Sequence, residues 1–202
     1  MTKRQRTKPI TAAEAMEELA KDKDYQARLA EQERRLQAIE AAGREEEREL
    51  SADLARVGVH AESAWDLVNS REPYTPAIPV LAEHLQRPYS PATKEGIARA
   101  LAIREAKSEW DLLARLYREE QNERVKDGLA VAVSAASHQE VIEDLIALAR
   151  DPQYGPSRLL LLRALERSKD PRAHETLREL KDDPDLVKEI RVILRRLDRR
   201  KR

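Results

Sequence analysis

Leucines recur through the second half of this chain at a fixed interval of 32 residues: Leu81, Leu113, Leu145 and Leu177. His84, Leu116, Leu148 and Leu180 keep the same spacing, and so do Ile78, Trp110, Ile142 and His174. Columns at i, i+3 and i+6 make one stripe of a helix. About half a period later a second set repeats, with Ile97, Leu129 and Leu161, then Ala100, Ala132 and Ala164, then Leu101, Val133 and Leu165. Offsets of i, i+3 and i+4 again mark one buried helical face. Each period thus carries two helices, a first and a second, and such a hairpin cannot bury its stripes alone. The expected fold is all-α: a right-handed α-solenoid of about four 32-residue helical hairpins over residues 76–199, preceded by a long N-terminal helix.

Proline and hydroxyl residues place the helix starts. Pro-Tyr-Thr-Pro at 73–76 and Pro-Tyr-Ser-Pro at 88–91 each set a hydroxyl at an N-cap and proline at the first helical position, where a missing N–H costs nothing. Asp151-Pro152, Asp170-Pro171 and Asp183-Pro184 act similarly, and Pro88, Pro152 and Pro184 fall on the 32-residue grid. These signals predict helices at 76–86, 91–105, 109–120, 123–136, 139–150, 156–168, 172–181 and 185–199, and no strand. Trp65 and Val68 sit one period before Ile97 and Ala100, so residues 59–75 read as a capping helix and linker. Gly96 and Gly128, also one period apart, mark places where helices pack closely.

Residues 11–57 have the Ala, Glu, Arg and Leu content of a long charged helix, with Thr11 and Glu14 matching a capping box. About 45 residues at ~1.5 Å each would span ~68 Å. Leu29, Leu36, Gly43, Leu50 and Val57 recur every seven residues with Ile39 on the same side, but Gln32, Glu46 and Asp53 spoil the partner seam of a coiled coil. Gly43 and the three glutamates at 45–47 are a place for the rod to break. Before it, residues 1–10 read as a basic disordered tail, and 200–202 as a second.

The array resembles HEAT-like repeats, especially the short bacterial form named after phycobilisome lyases. The stretch that carries the likeness is Asp170-Pro171-Arg172-Ala173, Leu177, Leu180, Asp182-Asp183-Pro184-Asp185, Val187 and Lys188. The likeness covers residues 76–199. The first unit departs from it with Arg87-Pro88-Tyr89 in place of an Asp turn, and the last has Arg196 where earlier units have Ala. Tetratricopeptide and ankyrin signatures are missing from the chain.

Composition narrows the chemistry. Without cysteine there is no disulfide, thiolate metal site or thiol nucleophile. No apolar run approaches the ~20 residues of a membrane helix, and the basic start lacks a hydrophobic region, so a cytoplasmic protein without membrane association is expected. Gly-rich phosphate loops, His-Glu-x-x-His and Gly-x-Ser-x-Gly do not occur. His84 and His174 fall on apolar columns and read as core histidines. The helical deoxyhypusine hydroxylases hold iron with several His-Glu pairs, whereas only His174-Glu175 occurs here. No enzyme, no cofactor and no metal site is expected.

Lys94, Lys126 and Arg158, one period apart near the starts of second helices, read as an inter-repeat ladder with acids just upstream, Glu120 and Asp151. The outward face of the second helices carries Glu95, Arg99 and Ala102, then Asp127, Val131 and Ser134, then Leu159, Arg163 and Glu166, a net charge of −1. That is not a basic track for nucleic acid. The expected role is a non-enzymatic protein-binding scaffold or adaptor for an unidentified protein, with Trp65, Tyr74, Tyr89, Arg99, Val131 and Arg163 as contacts. The arm would add a second contact or a homodimer seam. The alternative is nucleic-acid association through the termini, since residues 191–202 hold 7 basic groups and 1 acidic. A weaker one, implied only by the lyase name, is cofactor handling.

Overall fold

A computed structural model describes residues 22–200 together with Thr11, Met16 and Ala20. The expected tail at 1–10, residues 201–202 of the tail expected at 200–202, and the Glu14 half of the capping box lie outside the described residues, while Arg200 closes the last helix. Eleven α-helices have both ends described, and no described residue lies in a strand. They are α1 (Lys23–Glu46), α2 (Arg48–Arg56), α3 (Ala64–Val68), α4 (Ile78–His84), α5 (Pro91–Ala100) and α6 (Trp110–Glu119). Then follow α7 (Glu123–Ala136), α8 (Ile142–Arg150), α9 (Leu162–Arg167), α10 (Pro171–Glu179) and α11 (Val187–Arg200). The chain divides into two compact units, Met1–Glu45 and Glu46–Arg202.

In the larger unit the periodic columns are the core. Leu81, Leu113, Leu145 and Leu177 are fully buried, as are Ile97, Leu101, Val133, Leu161 and Leu165. The second helices contact one another in chain order, α3 on α5, α5 on α7, α7 on the segment leading into α9, and α9 on α11. Each is sealed by its neighbour, as expected where no hairpin has a core of its own.

Side-chain caps open four of these helices, α3, α5, α7 and α10. Asn122 Oδ1 accepts the N–H groups of Arg124 and Val125 at 3.1 and 3.3 Å. Asp170 Oδ1 accepts from Arg172 N at 2.9 Å, and Ser90 Oγ from Thr93 N at 3.4 Å with Pro91 next in the chain. The other hydroxyl-proline pair departs from expectation: Thr75 lies inside a short 3-10 turn, Thr75–Ala77, and makes no cap. The second helix of the third unit also departs, because residues 152–160 form 3-10 turns and the α-helix starts only at Leu162. Gly155, at φ 61° and ψ −150°, occupies backbone space open to glycine, and Pro156 follows it.

The joint before the array is built by two adjacent glutamates. Glu47, 4% exposed, accepts Ala64 N at 2.6 Å, and Glu46 accepts Ser90 N, Ser90 Oγ and Thr93 Oγ1 at 2.5, 2.7 and 2.7 Å. Burial pushes the Glu47 carboxyl up despite these donors. Burial acts the same way on Glu46, but the Ser90 and Thr93 donors outweigh it and hold that carboxyl below its usual value. With Leu50 and Leu54 buried, α2 belongs to the folded unit, which therefore begins at Glu46 rather than after residue 57. The rod breaks at Glu47, not at Gly43, which stays inside α1. In α1, Leu36 and Ile39 are 52% and 67% exposed.

The capping helix α3 is present with its register shifted by one. Ala64 and Leu67 are buried, whereas Val68 is exposed and Trp65 half-buried. Gly96 is the reason, since a Cβ there would stand 2.8 Å from Trp65 Nε1, and the indole occupies that space. Gly128 is also confined, since a Cβ there would stand 3.2 Å from the Glu95 carbonyl oxygen and 3.3 Å from Ala98 Cβ. Alanine for glycine in an open helix adds up to ~1 kcal/mol, but overpacking costs about 1–3 kcal/mol. Urea unfolding should therefore show Gly128→Ala destabilised, while Gly43→Ala, with nothing within 4 Å of its Cβ, leaves stability unchanged or raised.

Candidate binding groove

The basic column resolves into three different chemistries. Arg158 is 1% exposed and spans units: its guanidinium pairs with Asp183 at 2.9 Å and Asp185 at 3.2 Å and donates to the carbonyls of Gly155 and Ala149. Lys126 lies over two aromatic rings, 5.7 Å from the Tyr117 centroid and 5.4 Å from that of Tyr154. Lys94 is half-buried and forms no ion pair among the described residues. The ladder therefore closes at Arg158 with acids of the following unit. The upstream acids serve their own turns, Asp151 capping Gln153 N and Glu120 accepting from Gln121 N and Asn122 N.

Of the three aromatic residues expected to meet a partner, two are held internally by hydrogen bonds. Tyr74 is 9% exposed and its hydroxyl donates to the Ala100 carbonyl at 2.9 Å. Tyr89 stacks on His84, and its hydroxyl meets His84 Nδ1 at 2.7 Å while His84 Nε2 lies 3.0 Å from Asp53 Oδ2. A neutral imidazole with its proton on Nε2 satisfies all three groups. His84, fully buried, is thus a core histidine whose two nitrogens fasten α2 and the 88–91 turn to α4. Trp65 covers Gly96.

The outward face of the second helices divides into two parts. At the α5–α7 end, Glu95 is 7% exposed and accepts from Arg99 Nε at 2.9 Å and from Arg124 Nε at 3.0 Å. Burial raises the nearby Asp127 carboxyl, Glu123 and Glu95 add to the rise, and Arg99 only partly offsets it. Toward α11 the face opens into a groove of about 530 Å³. Val131 and Ser134 of α7, Leu159 and Arg163 around the start of α9, and Ile193 and Arg196 of α11 line it. Leu159 is 37% exposed there. Of the expected contacts, the structure brings Val131 and Arg163 together in this groove and leaves Arg99 outside its lining, tied to Glu95.

Charges in the groove are partly spoken for. Glu166, 7% exposed, pairs with Arg196 at 3.2 Å, and Arg196 also reaches Glu189 at 3.2 Å. Arg163 has no ion pair among the described residues and is exposed. The opening has a cause on the repeat grid: Leu160 stands where earlier units carry Gly96 and Gly128, and its bulky side chain is part of the groove wall.

Among the described residues no group of three or more His, Asp or Glu side chains is placed to hold a metal, and no helix is long and apolar enough to cross a membrane. Compared with known proteins, the chain matches no family model, no curated protein and no solved structure.

The Arg158 pair makes a pH-dependent contribution to stability. Burial alone would raise the Asp183 carboxyl, but the Arg158 guanidinium and the Asp185 N–H outweigh it and hold it below its usual value. A carboxyl depressed on folding stabilises the fold above its unfolded value, about 3.9, and that stability is lost as pH falls through the folded value. Asp183→Asn should cost about 3 kcal/mol at pH 7, since it strips a partner from a buried guanidinium. Urea midpoints followed from pH 7 to acid should then fall less steeply in Asp183→Asn than in the parent.

Proposed function

We propose that residues 76–199 form a right-handed HEAT-like α-solenoid that works as a non-enzymatic protein-binding module, taking a peptide segment of its partner in the groove between α7, α9 and α11. The observation that carries this reading is that groove. Three second helices from successive units converge there with exposed apolar surface at Leu159, half-buried Val131 and the Arg163 guanidinium, which has no ion pair among the described residues. Concave, largely preformed surfaces of this kind are where ligands bury most area. Apolar patches with an arginine at the edge resemble the centres of protein interfaces, where a few anchors dominate affinity. Stacked units suit the task because they extend a surface without redesigning a core.

The arm belongs to the same proposal as a second contact or a dimer seam. What supports it is the exposure of Leu36 and Ile39 on α1.

Selection of peptides from a random display library on the full chain tests the groove. Enriched peptides should lose about tenfold or more in affinity, 1.4 kcal/mol or above, for Leu159→Glu and Val131→Glu. They should be unaffected by Glu83→Lys, on an exposed first-helix position. Enrichment of nothing, or of peptides indifferent to both groove variants, would remove this reading.

A further inference from the structure

A second cavity, of about 410 Å³, lies beside the groove, and its lining is cationic. Consecutive inter-unit turns each contribute to it: Arg104 from the turn after α5, His138 from the turn after α7, and Lys169 from the turn after α9. Arg167 adds a further guanidinium, and Ser137 and Ser168 add hydroxyls. No carboxylate lines it, in a chain with 38 acidic and 38 basic side chains.

Internal contacts absorb only part of this charge. Arg167 Nη2 donates to the Ser134 carbonyl at 3.2 Å, and His138 donates from Nδ1 to the Ala136 carbonyl at 3.3 Å, with the exposed Glu140 3.7 Å from Nε2. Basic side chains commonly sit at helix C-termini, where they oppose the dipole, and Arg167 at the end of α9 is such a case. Arg104 and His138 are not. Arg104 opens the 3-10 turn Arg104–Glu109 and His138 precedes the 3-10 turn Gln139–Val141, so neither closes a helix. Arg104 and Lys169 form no ion pair among the described residues, and both are exposed.

We propose that this cavity binds a phosphoryl group, as a phosphomonoester dianion free in solution or carried on a partner's side chain. Such a group has three acceptor oxygens and close to two charges at neutral pH. A guanidinium fork, an ammonium and the Ser168 hydroxyl on a carboxylate-free wall match that demand, while the Ser137 hydroxyl already donates to the Ser134 carbonyl at 2.8 Å. The cavity shares Ala135 and Arg167 with the groove, so a chain lying in the groove passes its mouth.

The test uses the full chain and amide spectra, titrating inorganic phosphate, N-acetylphosphoserine amide and N-acetylserine amide at constant ionic strength. Phosphate and the phosphoserine compound should give saturable shifts at Ser137, His138, Gln139, Ser168 and Lys169, and the serine compound none. The double variant Arg104→Gln/Lys169→Gln should weaken phosphate binding by about tenfold or more. Its unchanged thermal midpoint would show that the fold survives. Leu159→Glu, outside this cavity's lining, should leave phosphate affinity within about twofold, so this proposal and the groove reading can fail separately. Tighter binding of the phosphoserine compound assigns a protein-borne phosphoryl group, and equal or tighter binding of inorganic phosphate assigns a small phosphate; both uphold the site. Absent or non-saturating shifts, or full affinity in the double variant, would overturn it.

Discussion

Everything in the larger unit depends on how closely one second helix can approach the next. A hairpin with a stripe of Leu, Ala and Ile on each helix has no interior of its own, so its apolar area leaves water only when another hairpin is laid against it. Gly128 lets the α7 backbone come up to the Glu95 carbonyl and Ala98, and Gly96 does the same for the Trp65 indole. With those contacts made, Ile97, Leu101, Leu129 and Val133 lose essentially all exposure. The ends of the row need other means. Glu46 and Glu47 bind the start of the unit through backbone N–H groups and hydroxyls, and at the far end Arg158 reaches across to Asp183 and Asp185.

The same grid that closes the core decides where the surface opens. Leu160 takes the third glycine position, Gly155 and Pro156 interrupt the helix just before it, and the groove lies along that stretch. Structure given up as helix there becomes groove wall, with Leu159 and Arg163 presented and Glu166 paired with Arg196. On the neighbouring turns the residues that start successive helices bring Arg104, His138 and Lys169 to a common cavity. The N-terminal end of the array, by contrast, has its aromatic residues turned into it.

Much of this was legible in the sequence, because a period of 32 and the spacing within it translate directly into burial. Every leucine of the first column is buried, and the helix expected at 123–136 spans Glu123–Ala136. Val131 and Arg163 fell on the outward face by the same count. Side-chain partners were another matter. Periodicity says that Lys94, Lys126 and Arg158 are equivalent, yet one has no ion pair among the described residues, one lies over aromatic rings and one is buried among acids, since partners come from loops that do not repeat. Tyr74 and Tyr89 looked like contacts because aromatic residues dominate interfaces, but nothing local in sequence reveals that their hydroxyls meet Ala100 and His84. The cationic cavity was missed because Arg104, His138 and Lys169 are spaced at 34 and 31 residues, just off the grid.

Glu83, Arg115, Ala147 and Glu179 are exposed, one on each first helix and one period apart, in a chain without cysteine. Spin labels on cysteines introduced in pairs at these positions would report separations by electron double resonance. Successive stacking of hairpins predicts separations that grow with each step, ~20 Å for 83 to 147 and ~30 Å for 83 to 179, because packed helices lie 8–10 Å apart. A distance from 83 to 179 no longer than that from 83 to 147 would contradict it.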